Sequence, residues 1–127
     1  MKKILLLILS VTTSLLLSAQ TSSDCAILKK GSFKYLDIPD TTAYFTINKE
    51  EHIEYHEGGK YLIKSELTWV NDCQYKMKML SNTIPDFPFH AGDVMTVTIN
   101  RVEDNIIYYT AEVKGAKWPG RVRKMPE

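Results

Sequence analysis

The chain from Phe33 onward alternates apolar and polar positions with a period of two, the pattern of strands with one buried face. Phe33 and Tyr35 flank Lys34, Phe45 and Ile47 flank Thr46, and Ile53 and Tyr55 flank Glu54. A longer run places Tyr61, Ile63, Leu67 and Trp69 on one face against Lys64, Glu66 and Thr68 on the other. After a polar corner at Val70-Asn71-Asp72-Cys73, the residues Tyr75, Met77 and Met79 continue inward against Gln74, Lys76 and Lys78. The second half repeats the theme with Met95, Val97 and Ile99, then Ile107, Tyr109, Ala111 and Val113, and a last strand near Trp118 to Met125. Glu57-Gly58-Gly59-Lys60 predicts a two-residue hairpin turn, and Glu103-Asp104-Asn105 a second tight turn. No stretch of this region carries a helical period. The expected fold is therefore all-β: one domain, a single antiparallel meander of about eight strands. Such a sheet protects its edges by curling into a small barrel or a two-layer sandwich.

One segment departs from the alternation. Ser81 to Asp93, SNTIPDFPFHAGD, contains Pro85 and Pro88, which exclude a central strand. Its Phe87 and Phe89 are too apolar to stand in water. The loop is expected to fold over an open end of the barrel, either as a plug or as a lid or partner-binding lip.

The N-terminus sets the context. Lys2 and Lys3 precede an apolar run from Ile4 to Leu17, interrupted by hydroxyl residues and followed by Ser18-Ala19-Gln20, the layout of a secretory leader over residues 1–20. The run is short for a membrane span of about 20 residues. Cys25 follows Ser22-Ser23-Asp24 rather than the small-residue box that a lipid anchor requires, so no transmembrane segment or lipid is expected on the mature chain. Taking 20 of the 127 residues away leaves 107, residues 21–127, enough for one modest core. Without Lys2 and Lys3 the formal charge of +1 becomes −1. A surface so nearly neutral argues against nucleic-acid binding, which depends on a basic field. The late charges Arg121, Arg123 and Lys124 alternate with Val122 as the solvent face of a last strand would.

Export to the periplasm or beyond it implies an oxidising compartment, where two cysteines are expected to pair, Cys25 with Cys73. The loop closed is 48 residues, for which the chain-entropy relation gives roughly 4 kcal/mol of stabilisation. Neither cysteine lies in a C-x-x-C pair, so a structural bridge is favoured over a redox thiol.

Candidate chemistry is sparse. His52 and His56 have the i,i+4 spacing of a helical zinc site, but on a strand that spacing separates them by about 13 Å, too far for one ion. With Glu54 they are expected to form a polar exterior face. Asp86, His90 and Asp93 share the long loop without any accompanying nucleophile, phosphate-loop or metal-ligand pattern. No catalytic residue, metal or cofactor is expected. The side chains of Trp69, Tyr75, Met77 and Tyr109, together with Phe87 and Phe89, are the candidate lining of a ligand pocket. The same aromatics and methionines also suit a packed core, the favoured reading for so small a barrel.

The pattern Cys25-x-x-x-Lys29-x-Gly31-x-Phe33, a Tyr44-Phe45-Thr46-Ile47 hairpin strand, and Ser65-x-x-x-Trp69-x-Asn71-Asp72-Cys73-x-Tyr75 resembles a group of short exported bacterial proteins of unknown function. A topoisomerase label carried by some of that group finds no support in a chain this small and neutral. The chain also distantly resembles the lipocalin meander, in which a glycine-x-aromatic opens the first strand and a late basic residue packs beside it. That likeness implies Gly31-Ser32-Phe33 for the first element and Arg121 or Arg123 for the second. The function expected from these readings is a non-enzymatic envelope protein holding a small apolar ligand in a barrel mouth under the 81–93 loop. The alternative is an interaction or inhibitor module with a filled core, its partner another envelope protein.

Overall fold

A computed structural model describes residues 24–127; the expected leader over residues 1–20 lies outside the described residues. A short 3-10 segment, Asp24–Leu28, precedes eight strands: β1 (Gly31–Tyr35), β2 (Tyr44–Asn48), β3 (Glu51–His56), β4 (Tyr61–Asn71), β5 (Gln74–Asn82), β6 (Val94–Glu103), β7 (Ile106–Val113) and β8 (Ala116–Lys124). Each strand pairs antiparallel with the next, and β8 closes on β1, so the meander is a complete barrel without free edges.

Strict alternation produces this result most clearly in β5, where Tyr75, Met77 and Met79 are buried between exposed Lys76, Lys78 and Leu80. In β8 Val122 is buried between exposed Arg121 and Arg123, as the charge alternation implies. The Asp104-Asn105 turn joins β6 to β7 as expected. The Glu57–Gly59 segment departs from expectation: it is a 3-10 turn in a four-residue connection rather than a two-residue hairpin. Three successive residues, Glu57, Gly58 and Gly59, take positive φ, and the Glu57 and Gly58 amides are anchored on Asp40 and Thr42 of the β1–β2 connection. Asp40 also accepts from the Thr42 hydroxyl and amide, and these bonds lower its pKa to about 2.

An antiparallel meander sorts its connections by end. The links 49–50, 72–73 and 104–105 share one end with the 3-10 segment, while 36–43, 57–60, 83–93 and 114–115 share the other. The first end is closed. Cys25 bonds Cys73 across it, and Cys25 and Leu28 pack onto Phe33, Phe45, Ile47, Leu67, Ile107 and Val122. Phe33 stacks on Phe45 at 5.0 Å. The basic residue that packs beside the first strand is Lys124, not Arg121 or Arg123. Its Nζ lies 5.7 Å from the Phe33 ring centre and donates to the carbonyls of Ile27 and Lys30, both at 3.0 Å. Arg121 points outward instead and forms a two-nitrogen pair with Asp37. Gly31 explains how Lys124 arrives: it has φ +136°, and a Cβ there would stand 3.0 Å from the lysine stem.

Candidate functional site: a half-polar cavity under the long loop

At the open end the barrel is not filled. A cavity of about 320 Å³ runs from Leu28 at the floor to Phe87, Phe89 and Trp118 at the mouth. Of the residues singled out from sequence, Tyr75, Met77, Tyr109, Phe87 and Phe89 all line it. Trp69 does not; it stands against Tyr75 with ring centres 5.0 Å apart and carries the Lys29 ammonium 3.4 Å above its face. The packed interior favoured for so small a barrel is thus not what the strands enclose.

The loop at the mouth is anchored at its C-terminal side. The Met79 amide donates to the Asp93 carbonyl and the Gly92 amide to the Met79 carbonyl, at 2.9 and 2.8 Å. Asp93 accepts the His90 amide through its side chain and pairs with Lys114 at 3.2 Å. These bonds account for His90 and Asp93 as loop architecture, and the His90 side chain is not part of the cavity wall. Phe87 meets Phe89 edge-on at 5.8 Å, and Phe89 stacks on Trp118 at 6.2 Å, so both phenylalanines turn inward and are half-buried.

Tyr109 owes its place to a glycine. It pairs across the ladder with Gly120, and a Cβ at that glycine would lie 2.3 Å from the tyrosine ring. The bare backbone of β8 is what allows the ring to lie across it and reach the interior.

The largest departure from expectation is on β3. His52, Glu54 and His56 do not form a polar exterior; all three line the cavity, and His52 is only 1% exposed. Ile53 and Tyr55 take the outer face, where Tyr55 stacks on Tyr44 with ring centres 4.6 Å apart. The cause is register. The two-residue Lys49-Glu50 connection pairs Ile47 with His52 and Phe45 with Glu54, and residues directly opposite in a ladder face the same side. With Phe45 and Ile47 inside, the histidines and the glutamate must be inside too. Period two within β3 alone favours its more apolar parity, and pairing with β2 sets the face that the barrel encloses.

These polar groups form a connected wall. The Tyr35 hydroxyl donates to Glu54 Oε1, and His56 Nε2 stands 3.6 Å from the same oxygen. At that separation the His56 contact is too long for a hydrogen bond and becomes an ion pair when His56 is protonated. His52 stacks on Phe45 at 4.6 Å. His52 Nδ1 and His56 Nε2 are buried without a hydrogen-bond partner among the described residues. Burial alone would raise the Glu54 pKa, but His56, His52 and the Tyr35 hydroxyl outweigh it and hold the carboxyl below its ordinary 4.5. Burial lowers the His52 pKa, whereas the Glu54 carboxylate raises that of His56. Tyr35 is pushed up by burial and by Glu54, and burial raises Tyr109 to about 12, so both phenols stay protonated. The wall therefore presents a carboxylate, a neutral imidazole and hydroxyls at neutral pH.

Among the described residues no group of three or more His, Cys, Asp or Glu is placed to hold a metal ion, and no helix is long and apolar enough to cross a membrane. No family model, curated protein or solved structure matches the chain.

Proposed function

We propose that this protein is a non-enzymatic binding module of the cell envelope that holds a small, mainly apolar ligand in the barrel mouth beneath the 81–93 loop. The observation that carries the reading is the cavity itself. Its roughly 320 Å³ lies at the lower end of the 300–1,000 Å³ of small-molecule sites, with the apolar majority and few convergent polar groups such sites have. It is also about twice the volume of an engineered cavity that accommodates benzene. Tyr75, Met77, Tyr109, Phe87 and Phe89 supply apolar contact, and Phe89 stacked on Trp118 covers part of the entrance.

An interaction module with a solid core calls for a filled barrel and an exposed apolar patch at Phe87. The inward turn of Phe87 and Phe89 favours the ligand reading. The Cys25–Cys73 bond supports an exported setting. The closed meander, with Gly31-Ser32-Phe33 and Lys124 meeting at its sealed end, supports the lipocalin-like relationship.

Native mass spectrometry of the mature protein purified from its own envelope tests the proposal. A mass excess that disappears on denaturation is the expected result, and its size measures the ligand. A bare chain from the envelope, together with failure to take up any of a panel of small apolar probes, would sink it.

A further inference from the structure

We infer that the ligand is an organic amine, a compact aromatic or alicyclic body bearing one protonated amino group that is received by Glu54. This rests on the ligand-binding reading above and specifies its chemistry. The cavity lining includes two carboxylates, Glu54 and Asp93, and no lysine or arginine. Three lysines around the barrel are committed elsewhere: Lys29 over Trp69, Lys124 on the carbonyls at the closed end, and Lys114 on Asp93. An anionic head group entering this space would meet the Glu54 carboxylate with only His56 to offset it, and His56 is already that carboxylate's partner.

The geometry suits a cation at a specific place. Both contacts to Glu54, from the Tyr35 hydroxyl and from His56, fall on Oε1, and no hydrogen bond among the described residues engages Oε2. Two positions down the same strand face, about 7 Å by strand rise, His52 is 1% exposed with Nδ1 unpartnered. A buried polar atom in that state needs a partner. An ammonium carries three donors and no acceptor, which matches a free carboxylate oxygen. The tyrosines at 35, 75 and 109 add ring faces that attract cations.

Isothermal titration near neutral pH with three probes that share one body separates the outcomes: 2-naphthylmethylamine, 2-naphthylmethanol and 2-naphthoic acid. The amine is expected to bind at least about tenfold more tightly than the alcohol, with the acid weakest. Glu54→Gln should bring the amine down to the affinity of the alcohol while leaving alcohol binding in place, which shows that the cavity persists. Glu112→Gln, at a carboxylate on the outer face of β7 and outside the cavity lining, should leave the amine preference intact. Binding of the acid equal to or tighter than the amine overturns the inference, as does an amine preference kept in Glu54→Gln. If Glu54→Gln does not fold, the ranking of the three probes on the unaltered protein decides. Alcohol binding without an amine preference defeats only this inference, whereas no binding by any probe defeats the ligand reading with it.

Discussion

At one end of the barrel Cys25, Leu28, Phe33, Ile47 and Ile107 meet with at most 1% exposure each, while at the other the inward side chains leave a void of about 320 Å³ with a charged wall. Both ends are built from the same alternating strands. They differ in what covers them. The closed end is sealed by the 3-10 segment, pinned by the disulfide and by Lys124 on two of its neighbouring carbonyls. The open end is covered by a proline-containing loop attached through Met79, Gly92 and Asp93. Buried unpartnered polar atoms such as His52 Nδ1 cost about 1–3 kcal/mol each. The open end can carry them because apolar packing and covalent closure at the other end support the fold.

Core truncation gives the largest contrast. Phe33→Ala removes a fully buried ring at the closed end and should cost about 3–5 kcal/mol. Phe89→Ala at the half-buried mouth should cost about 1 kcal/mol or less, since the ring is only partly removed from water. Urea unfolding of the two variants measures both, and equal losses would erase the distinction between the ends.

Next in size is the covalent seal. Replacing both Cys25 and Cys73 by alanine should lower stability by roughly 4 kcal/mol through the 48-residue loop it frees. Probe affinity of the fraction that remains folded should stay unchanged, because the bond lies at the opposite end from the mouth. A change in affinity would mean that the two ends are coupled.

Gly120→Ala sharpens the comparison from the cavity side. The new Cβ would stand 2.3 Å from the Tyr109 ring, and displacing that ring should cost about 1–3 kcal/mol as overpacking does. It should also weaken ligand binding, in contrast to the cysteine variant.

The smallest effect is electrostatic and isolates the wall. His52, its pKa depressed by burial, should titrate below the ordinary 6.5, and His56, its pKa raised by Glu54, above it. The signs follow from linkage. His56 contributes stability that is complete below 6.5 and is lost as pH rises through its folded value. His52 removes stability as pH falls below 6.5, because the unfolded chain takes up the proton first. Glu54, depressed below 4.5, contributes stability present above that value and lost as pH falls through its folded pKa. Imidazole NMR titration resolves the two histidines, and midpoints in the reverse order would show that Glu54 does not set the wall.

Much of the candidate site was legible as side-chain type and position. Tyr75, Met77, Tyr109, Phe87 and Phe89 were found because apolar alternation and an apolar loop between prolines both mark inward-facing groups. Glu54, His52, His56 and Tyr35's hydrogen bond to Glu54 were not, because a strand has two faces and hydropathy chose the wrong one for β3. Trp69 shares the inward parity of β4 but sits too near the closed end to reach the cavity, a matter of depth along the barrel that period two does not encode. Trp118 shares the inward parity of Val122 on β8 and lies near the open end, where Phe89 of the long loop stacks on it.

What the sequence determined by itself is the all-β meander, its turns at the glycine and asparagine corners, and the pairing of its two cysteines. These depend on local alternation and on counting. The tertiary structure decided the orientation of β3, the choice of Lys124 as the partner of Phe33, and the presence of a cavity in place of a packed core. Each of those depends on register transmitted from a neighbouring strand or on closure of the whole sheet. A strand's pattern states that its two faces differ. Only its neighbours decide which face the barrel encloses.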